Sequence, residues 1–461
     1  MKAAAPAAFP PSSAPTRRAL LAALAAPGAA LCAACAPSAG GPEKPGAAVP
    51  LVELHTHARA TQERDGYQKS LDSFNERFAG RFKVVYEPIT GDLHEGQQTL
   101  LAGGNIGDLI YAGTGNLKTQ EYAARGAALP LDDLIAKDKS FKLSDWPTRA
   151  VDALRVVQNK VYALPVRGQV AYVFLFWNRE MLRQNGIPEP TRDWTLDQLL
   201  EQAKRLPRTN PDFYPIGYSW GGFEIMVSNL RMLGAEVFSP ATGPGKQCLL
   251  DSPPAQQAIR WFYDNTRAGL LTPRAYGGTA PRFAEGQFAF RINQLAGART
   301  AVRTAVRTNF DWTFDLGPKG PTGSRGGQLS LDTHQITTAT RSKEGSWELL
   351  KWLTSKESGV NLALQREGST TPGFRKDVYC DPRVLGDPDY PRSALQSACD
   401  HIDLPATFSY PANLRLATPG GIQEIMNRYL NDIVDLKIDP NPSVLRELTR
   451  EVQQVLDQPP L

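Results

Sequence analysis

Residues 51–116 read LVELHTHARATQERDGYQKSLDSFNERFAGRFKVVYEPITGDLHEGQQTLLAGGNIGDLIYAGTGN. Val52–His55 is a short apolar run that predicts a strand. Between Gly66 and Phe78, the residues Tyr67, Leu71, Phe74 and Phe78 recur at spacings of 4, 3 and 4, which places them on one face of a helix. Phe82–Tyr86 predicts a second strand, Gln97–Ala102 opens another helix, and Asp108–Tyr111 predicts a third strand. Strands alternating with helices in this way imply a parallel, doubly wound sheet. Ligands of such sheets gather beyond the carboxyl ends of the strands. The loops His55–Arg59 and Gly113–Asn116 are therefore the first candidate site loops.

The alternation continues downstream. Tyr172–Trp177 is a dense apolar run and predicts a buried strand, with Phe174, Phe176 and Trp177 as core residues. Asn178–Asn185 predicts a short helix that stops at Gly186, and Thr195–Leu206 a helix with Thr195 as its N-cap. Tyr214–Tyr218 predicts a strand and Phe223–Leu233 a helix. Further helices are expected at Pro254–Ala268, Ser346–Leu353, Gly359–Glu367, Ile422–Leu436 and Ser443–Leu456. A helix-then-strand unit is expected at Phe283–Ile292 and a strand within Gln328–Ile336. No internal repeat interrupts the series. The class is α/β.

Composition narrows the function. The chain has 461 residues, of which 41% are hydrophobic and 21% charged, which is ordinary for a globular protein. The formal net charge is +4, and no basic cluster accompanies it, so nucleic acid is not an expected partner. Five cysteines are too few for a disulfide scaffold. After residue 40 no run of 18 apolar residues occurs, which excludes a polytopic membrane protein.

The first 50 residues have the order of an export signal. Lys2, Arg17 and Arg18 precede an Ala/Leu stretch that begins at Ala19 and is broken by Pro27-Gly28. Thr16–Leu21 resembles a twin-arginine signal, and Cys32–Cys35 resembles a lipobox with Cys35 as the lipidated residue. Residues 1–34 are therefore expected to be a cleaved signal peptide. Residues 35–50, rich in Ala, Pro and Gly, are expected to form a flexible tether, because such a segment buries too little apolar surface to offset its ordering entropy. Lipid anchoring at the outer face of the cell membrane follows. An oxidising compartment permits a Cys380–Cys399 bridge, with Cys248 left over.

Three motifs could carry chemistry. His55-Thr56-His57 at a strand end puts two imidazoles on one side, a possible half of a metal site. No second paired histidine motif exists among the five histidines, so a polar loop is the expected role and no metal is expected. Gly217-Tyr218-Ser219-Trp220-Gly221 matches G-x-S-x-G between a strand and a helix. With Asp332 and His401 it would make a secreted serine hydrolase, and this is the competing functional class. An upstream HGGG-type oxyanion segment is lacking, so a strand-to-helix turn is the expected role. Gly103–Asp108 resembles a phosphate loop but precedes a strand and lacks the Lys-Ser/Thr pair.

Several ordered segments carry a family resemblance. These are Gly107–Tyr111 (GDLIY), Lys160–Val166 (KVYALPV), Phe176–Leu182 (FWNREML), Gly186–Pro188, Asp193–Leu199 (DWTLDQL), Phe283–Phe290 (FAEGQFAF), Leu350–Glu357 (LKWLTSKE) and Gly368–Val378. In order and spacing they resemble family 1 extracellular solute-binding proteins, the lipid-anchored receptors of ABC importers, often for sugars. The likeness covers nearly all of residues 50–456. The chain departs from the pattern between Pro165 and Asn178, which is about two residues longer than usual. The loop Ala112–Asn116 also lacks the aromatic residue that some sugar binders carry.

The resemblance implies a two-lobed fold of the periplasmic-binding-protein type II, with discontinuous lobes around a central cleft. Lobe 1 would comprise residues 51–167 and 330–373, and lobe 2 residues 168–329 and 374–461. Crossovers are expected near 166–172, 328–332 and 370–376. The implied function is reversible solute binding by hinge closure, without catalysis or a cofactor, and with ABC permease subunits as partners. A lipoprotein that reports to a membrane sensor instead of an importer fits the same sequence.

The candidate ligand contacts from the first lobe are His57, Arg59, Thr114 and Asn116. From the crossover and second lobe they are Arg167, Tyr172, Trp220, Phe223, Asn293, Gln294 and Arg415, with Trp220 as the stacking platform. Thr370, Thr371 and Arg375 are weaker candidates. Arg59, Arg167 and Arg415 together would suit an acidic sugar or a sugar phosphate, beside a neutral carbohydrate.

Overall fold

The computed structural model describes residues 51–57, 64–115, 117–172, 174–207, 213–220, 222–276, 279–293, 310–365, 372–403 and 407–461, with only the backbone described at 64–66, 169–172, 279–281 and 293. The export segment, the tether and Cys35 lie outside these residues, as do Arg59, Asn116, Gln294, Thr370 and Thr371.

Thirteen strands run through the described residues. They are β1 (Val52–His57), β2 (Phe82–Tyr86), β3 (Leu109–Gly113), β4 (Leu164–Tyr172), β5 (Phe174–Asn178), β6 (Ile216–Tyr218), β7 (Phe238–Ser239), β8 (Gly243–Gly245), β9 (Gln247–Cys248), β10 (Phe290–Asn293), β11 (Trp312–Leu316), β12 (Gly326–Ile336) and β13 (Ser409–Pro411). One sheet has the order β2-β1-β3-β12-β4 and a second the order β11-β5-β10-β6. β1 pairs with β2 and β3 in parallel, as the alternation in residues 51–116 requires. β12 enters antiparallel to both β3 and β4, so the first sheet is mixed. The second sheet is also mixed, with β5 antiparallel to β10 and β11, and β10 parallel to β6.

The long apolar run expected as one strand is divided between the two sheets. β4 ends at Tyr172 in the first sheet and β5 starts at Phe174 in the second. Within β5 the side chains alternate across the sheet. Phe174 and Phe176 pack into one core cluster, and Leu175 and Trp177 into another. Both faces of β5 are therefore covered, which explains why the run is apolar without alternation.

The first sheet is packed by the helix Arg64–Arg77, whose Leu71 and Phe74 join Leu54, Leu109 and Ile336 in a buried cluster. The helix Leu196–Lys204 starts with a full capping box. The Gln198 amide donates to Thr195 Oγ1, and the Thr195 amide donates to Gln198 Oε1 at 2.8 Å. Two otherwise orphaned N–H groups are satisfied there.

Gly217 lies where β6 passes the ring of Phe288, and a Cβ at this position would be 2.7 Å from that ring. Packing therefore accounts for the first glycine of the G-x-S-x-G match. The remaining elements of a triad do not assemble. Asp332 pairs with Arg167, while His401 Nδ1 lies 2.6 Å from the carbonyl oxygen of Ser397.

Cys380 and Cys399 form a disulfide, and Cys248 is free and buried, its thiol pushed up to about 11 by desolvation. The bridge closes a loop with a sequence separation of 19 residues. Loop-closure entropy of that size is worth about 3 kcal/mol in the unfolded chain. The double change Cys380→Ser, Cys399→Ser is expected to lower stability by about that amount. Urea unfolding under non-reducing conditions checks it, and coincident midpoints for the two proteins would contradict the expectation.

Among the described residues no helix is long and apolar enough to cross a membrane.

Candidate functional site

The site is built from the crossover strands outward. On β12, Leu329, Leu331 and Thr333 are buried, while Ser330 and Asp332 are partly open. Asp332 stands opposite Arg167 of β4 and Gly113 of β3 in the sheet register. Arg167 Nε donates to Asp332 Oδ2 at 2.5 Å, and its terminal nitrogen donates to the Tyr111 hydroxyl at 3.1 Å. The arginine side chain is 10% exposed and the aspartate 36%, so the pair has a buried base and an open acidic end.

Two residues beyond Asp332, His334 lies on the same face of the strand. Its ring stacks on Tyr67 at a centroid distance of 5.5 Å and meets the edge of Tyr111 at 5.5 Å. Desolvation pushes the imidazole down to about 3, so it is neutral at physiological pH. The Tyr67 hydroxyl lies 3.0 Å from Thr56 Oγ1, which ties the helix after β1 to the end of that strand. Tyr67, Tyr111, Arg167, His334 and Gln365 line a small cavity with about 30 Å³ of room for water centres, space for a water or two.

The carboxyl end of β3 leads into Thr114 and Gly115. The Thr114 amide donates to the carbonyl oxygen of Leu331, and Thr114 Oγ1 accepts from the Leu331 amide, both at 2.9 Å. Its hydroxyl therefore locks the loop to β12. Gly115 comes against Glu224, and a Cβ added there would be 3.1 Å from Glu224 Oε2. The two sheets approach each other at this contact. Glu224 belongs to the first turn of the helix Phe223–Met232, which follows β6. Burial pushes its carboxyl up from its ordinary value, the negative charge of Asp332 adds to the rise, and a hydrogen bond from its own backbone N–H opposes it.

Trp220 lies between β6 and that helix, half-buried, with its ring 4.6 Å from Phe262 and 5.6 Å from Tyr218. Its indole nitrogen is buried and has no hydrogen-bond acceptor among the described residues. Tyr218 donates its hydroxyl to Asn229 Oδ1 at 2.9 Å and so fixes the strand to the helix.

The candidates named from the sequence fall into three groups. Arg167 and Thr114 stand at the carboxyl end of β3 against β12, the Thr114 hydroxyl engaged by Leu331, while Trp220 follows the carboxyl end of β6 and packs on Phe262. Three others have different roles. Phe223 is fully buried and stacks on Phe238 at 5.8 Å, which makes it a core residue. Arg415 donates to the carbonyl oxygen of Pro459 at 3.0 Å and holds the C-terminal segment. His57 is buried, with Nδ1 3.1 Å from the carbonyl oxygen of Glu87 and Nε2 3.5 Å from its carboxylate. The weaker candidate Arg375 is bound to Asp145 and Asp377 and covers the Trp146 ring. The third group lies outside the described residues, either entirely (Arg59, Asn116, Gln294) or in the side chain (Tyr172, Asn293). The expectation of three arginines facing an anion is not met at Arg167 and Arg415, because both guanidinium groups already have partners within the chain.

Nothing in the local sequence marks Glu224, Tyr67 or Tyr111 as site residues, and Asp332 stands out there only as the acid of a possible triad. The pattern Leu329-Ser330-Leu331-Asp332 is a strand alternation that points Asp332 away from the core, and this signal was available.

A family model described as bacterial extracellular solute-binding protein matches residues 60–360. A binding protein of Brucella abortus (strain 2308) is 22% identical over 312 residues, covering 65% of this chain and 70% of the relative. Among solved structures, the sugar-binding protein MalE from Xanthomonas citri superposes with a TM-score of 0.73 at 17% identity, covering 88% of this chain and 97% of that one. UgpB from Mycobacterium tuberculosis, in complex with glycerophosphocholine, gives a TM-score of 0.70 at 16% identity, with coverage of 88% and 98%. The Listeria monocytogenes substrate-binding protein in complex with cycloalternan gives the same score, identity and coverages.

Proposed function

We infer the function from the premise that the chain belongs to the bacterial extracellular solute-binding protein family. It is a receptor that captures a carbohydrate outside the cytoplasmic membrane and hands it to the permease of an ABC importer. The observation that carries this reading is the meeting of two sheets at Gly115 and Glu224, with the Asp332–Arg167 pair beside it. Carboxylate and guanidinium groups there can bond hydroxyls, and Trp220 offers an apolar ring face. The groups come from different sheets, so a solute that touches both favours the closed arrangement of a hinged pair. The lobes are residues 51–167 with 330–373, and 168–329 with 374–461. The solved relatives named above include carriers described with sugars, which supports the carbohydrate class.

A thermal-shift screen over neutral oligosaccharides, uronates, polyamines and peptides tests the reading. A solute that binds only the native state at about a hundred times its Kd adds about 2.7 kcal/mol of stability. The expected result is a raised melting temperature with at least one carbohydrate and with no peptide. A rise with peptides alone would overturn the carbohydrate class, and turnover of any solute would overturn the receptor reading.

The export route belongs to the same proposal. Arg17-Arg18 directs the chain to twin-arginine export, and Cys35 carries the lipid that holds it at the membrane. Cys35→Ser is expected to move the protein from the membrane fraction to the soluble exported fraction. Retention of the variant in the membrane fraction would exclude Cys35 as the anchor.

A further inference from the structure

The charge balance of the site names the class of solute more closely, an inference that rests on the receptor reading above. Glu224 brings its carboxylate to the seam between the two sheets, against the backbone of Gly115. Its neighbour in the site is a second carboxylate, Asp332, whose charge already meets Arg167 at 2.5 Å. Among the described residues Glu224 has no ion pair, and its carboxylate accepts a hydrogen bond only from its own backbone N–H. Among the described residues two acids therefore face one base.

Glu224 is half-buried, and a carboxylate partly withdrawn from water without a cation carries a desolvation cost that pairing relieves. Here the environment both desolvates the group and places a like charge nearby. A Cβ at position 115 would come within 3.1 Å of Glu224 Oε2, so the carboxylate lies directly against the backbone of this loop. A missing counter-charge at the meeting of two sheets is one that a bound solute can supply.

We propose that the solute carries a protonated amine or a quaternary ammonium group on, or next to, a polyhydroxylated frame, and that Glu224 holds the cation. The open end of Asp332 takes hydroxyls, while Arg167, neutralised by its partner, gives no free positive charge for a uronate or a phosphate. The site accordingly selects against acidic sugars.

Calorimetry on the full chain, at a pH slightly below neutral, tests the inference with glucosamine, glucose, glucuronate and choline. Glucosamine is expected to bind at least about tenfold more tightly than glucose, and glucuronate at least about tenfold more weakly. Both differences are expected to vanish in Glu224→Gln, which keeps the size and shape of the side chain. Equal affinity for glucosamine and glucose would overturn the charge inference and leave the carbohydrate reading standing. A preference for glucosamine that survives in Glu224→Gln, or tightest binding of glucuronate, would overturn it as well. Binding of choline without binding of any sugar would support the charge inference and overturn the carbohydrate reading. If none of the four binds, the charge inference fails, and the carbohydrate reading then stands or falls with the wider screen.

Discussion

Exchange of Arg167 for methionine is expected to lower stability by about 3 kcal/mol and to weaken solute binding by more than about a hundredfold. The guanidinium is nearly buried and donates to Asp332 and to the Tyr111 hydroxyl, among its partners. Methionine fills similar volume but leaves Asp332 without a counter-charge. Removing one partner of a fully buried pair costs about 3–5 kcal/mol, mostly because the other charge is stranded. Asp332 is about a third exposed, so solvent screens part of that cost and the lower end applies. The binding loss has a second origin, since Asp332, which takes the hydroxyls of the solute, is then no longer held in place by the guanidinium. Urea unfolding and calorimetry measure the two effects separately. The double variant Arg167→Met, Asp332→Asn is expected to regain part of the stability, because the stranded charge is gone. If Arg167→Met alone left both midpoint and affinity unchanged, Arg167 would have no place in the site.

Phe374→Ala is expected to cost about 3–5 kcal/mol, the range for deleting a buried aromatic ring. Phe374 is 1% exposed and stands edge-on to Tyr379 at 6.5 Å, within the large cluster that also holds Leu329 and Leu331 of β12. Tyr379 in turn donates its hydroxyl to the carbonyl oxygen of Gly168 on β4 at 3.1 Å. The ring therefore supports β4 and β12 from behind, on the side of β12 away from Asp332. Its loss is expected to shift the urea midpoint with little change in the slope, because the surface exposed on unfolding is nearly the same. A cost below about 1 kcal/mol would mean that the surrounding chain collapses into the space.

These two residues differ in how far the sequence disclosed them. Arg167 follows a recognisable Leu-Pro-Val lead, and in the sequence alone its charge stands open to an anion. The partner that neutralises it, Asp332, lies 165 residues away in sequence. Such a pairing depends on strand order, since β12 is inserted between β3 and β4, and neither periodicity nor composition encodes that order. Phe223 shows the reverse error. It opens a helix beside the site, and only the packing against Phe238 reveals that its ring points into the core.

The sequence by itself determined the α/β class, the parallel start of the first sheet and most element positions. Spacing in residues 51–116, the Thr195 cap and the apolar runs are local signals, and each acts over a few residues. The ordered motifs also identified the family. Only the tertiary structure decided which side chains share the site. The contact of Gly115 with Glu224 and the stack of Tyr67 on His334 join residues more than 100 positions apart. Their charges and orientations follow from which strands are neighbours, a long-range property that no local stretch of chain contains.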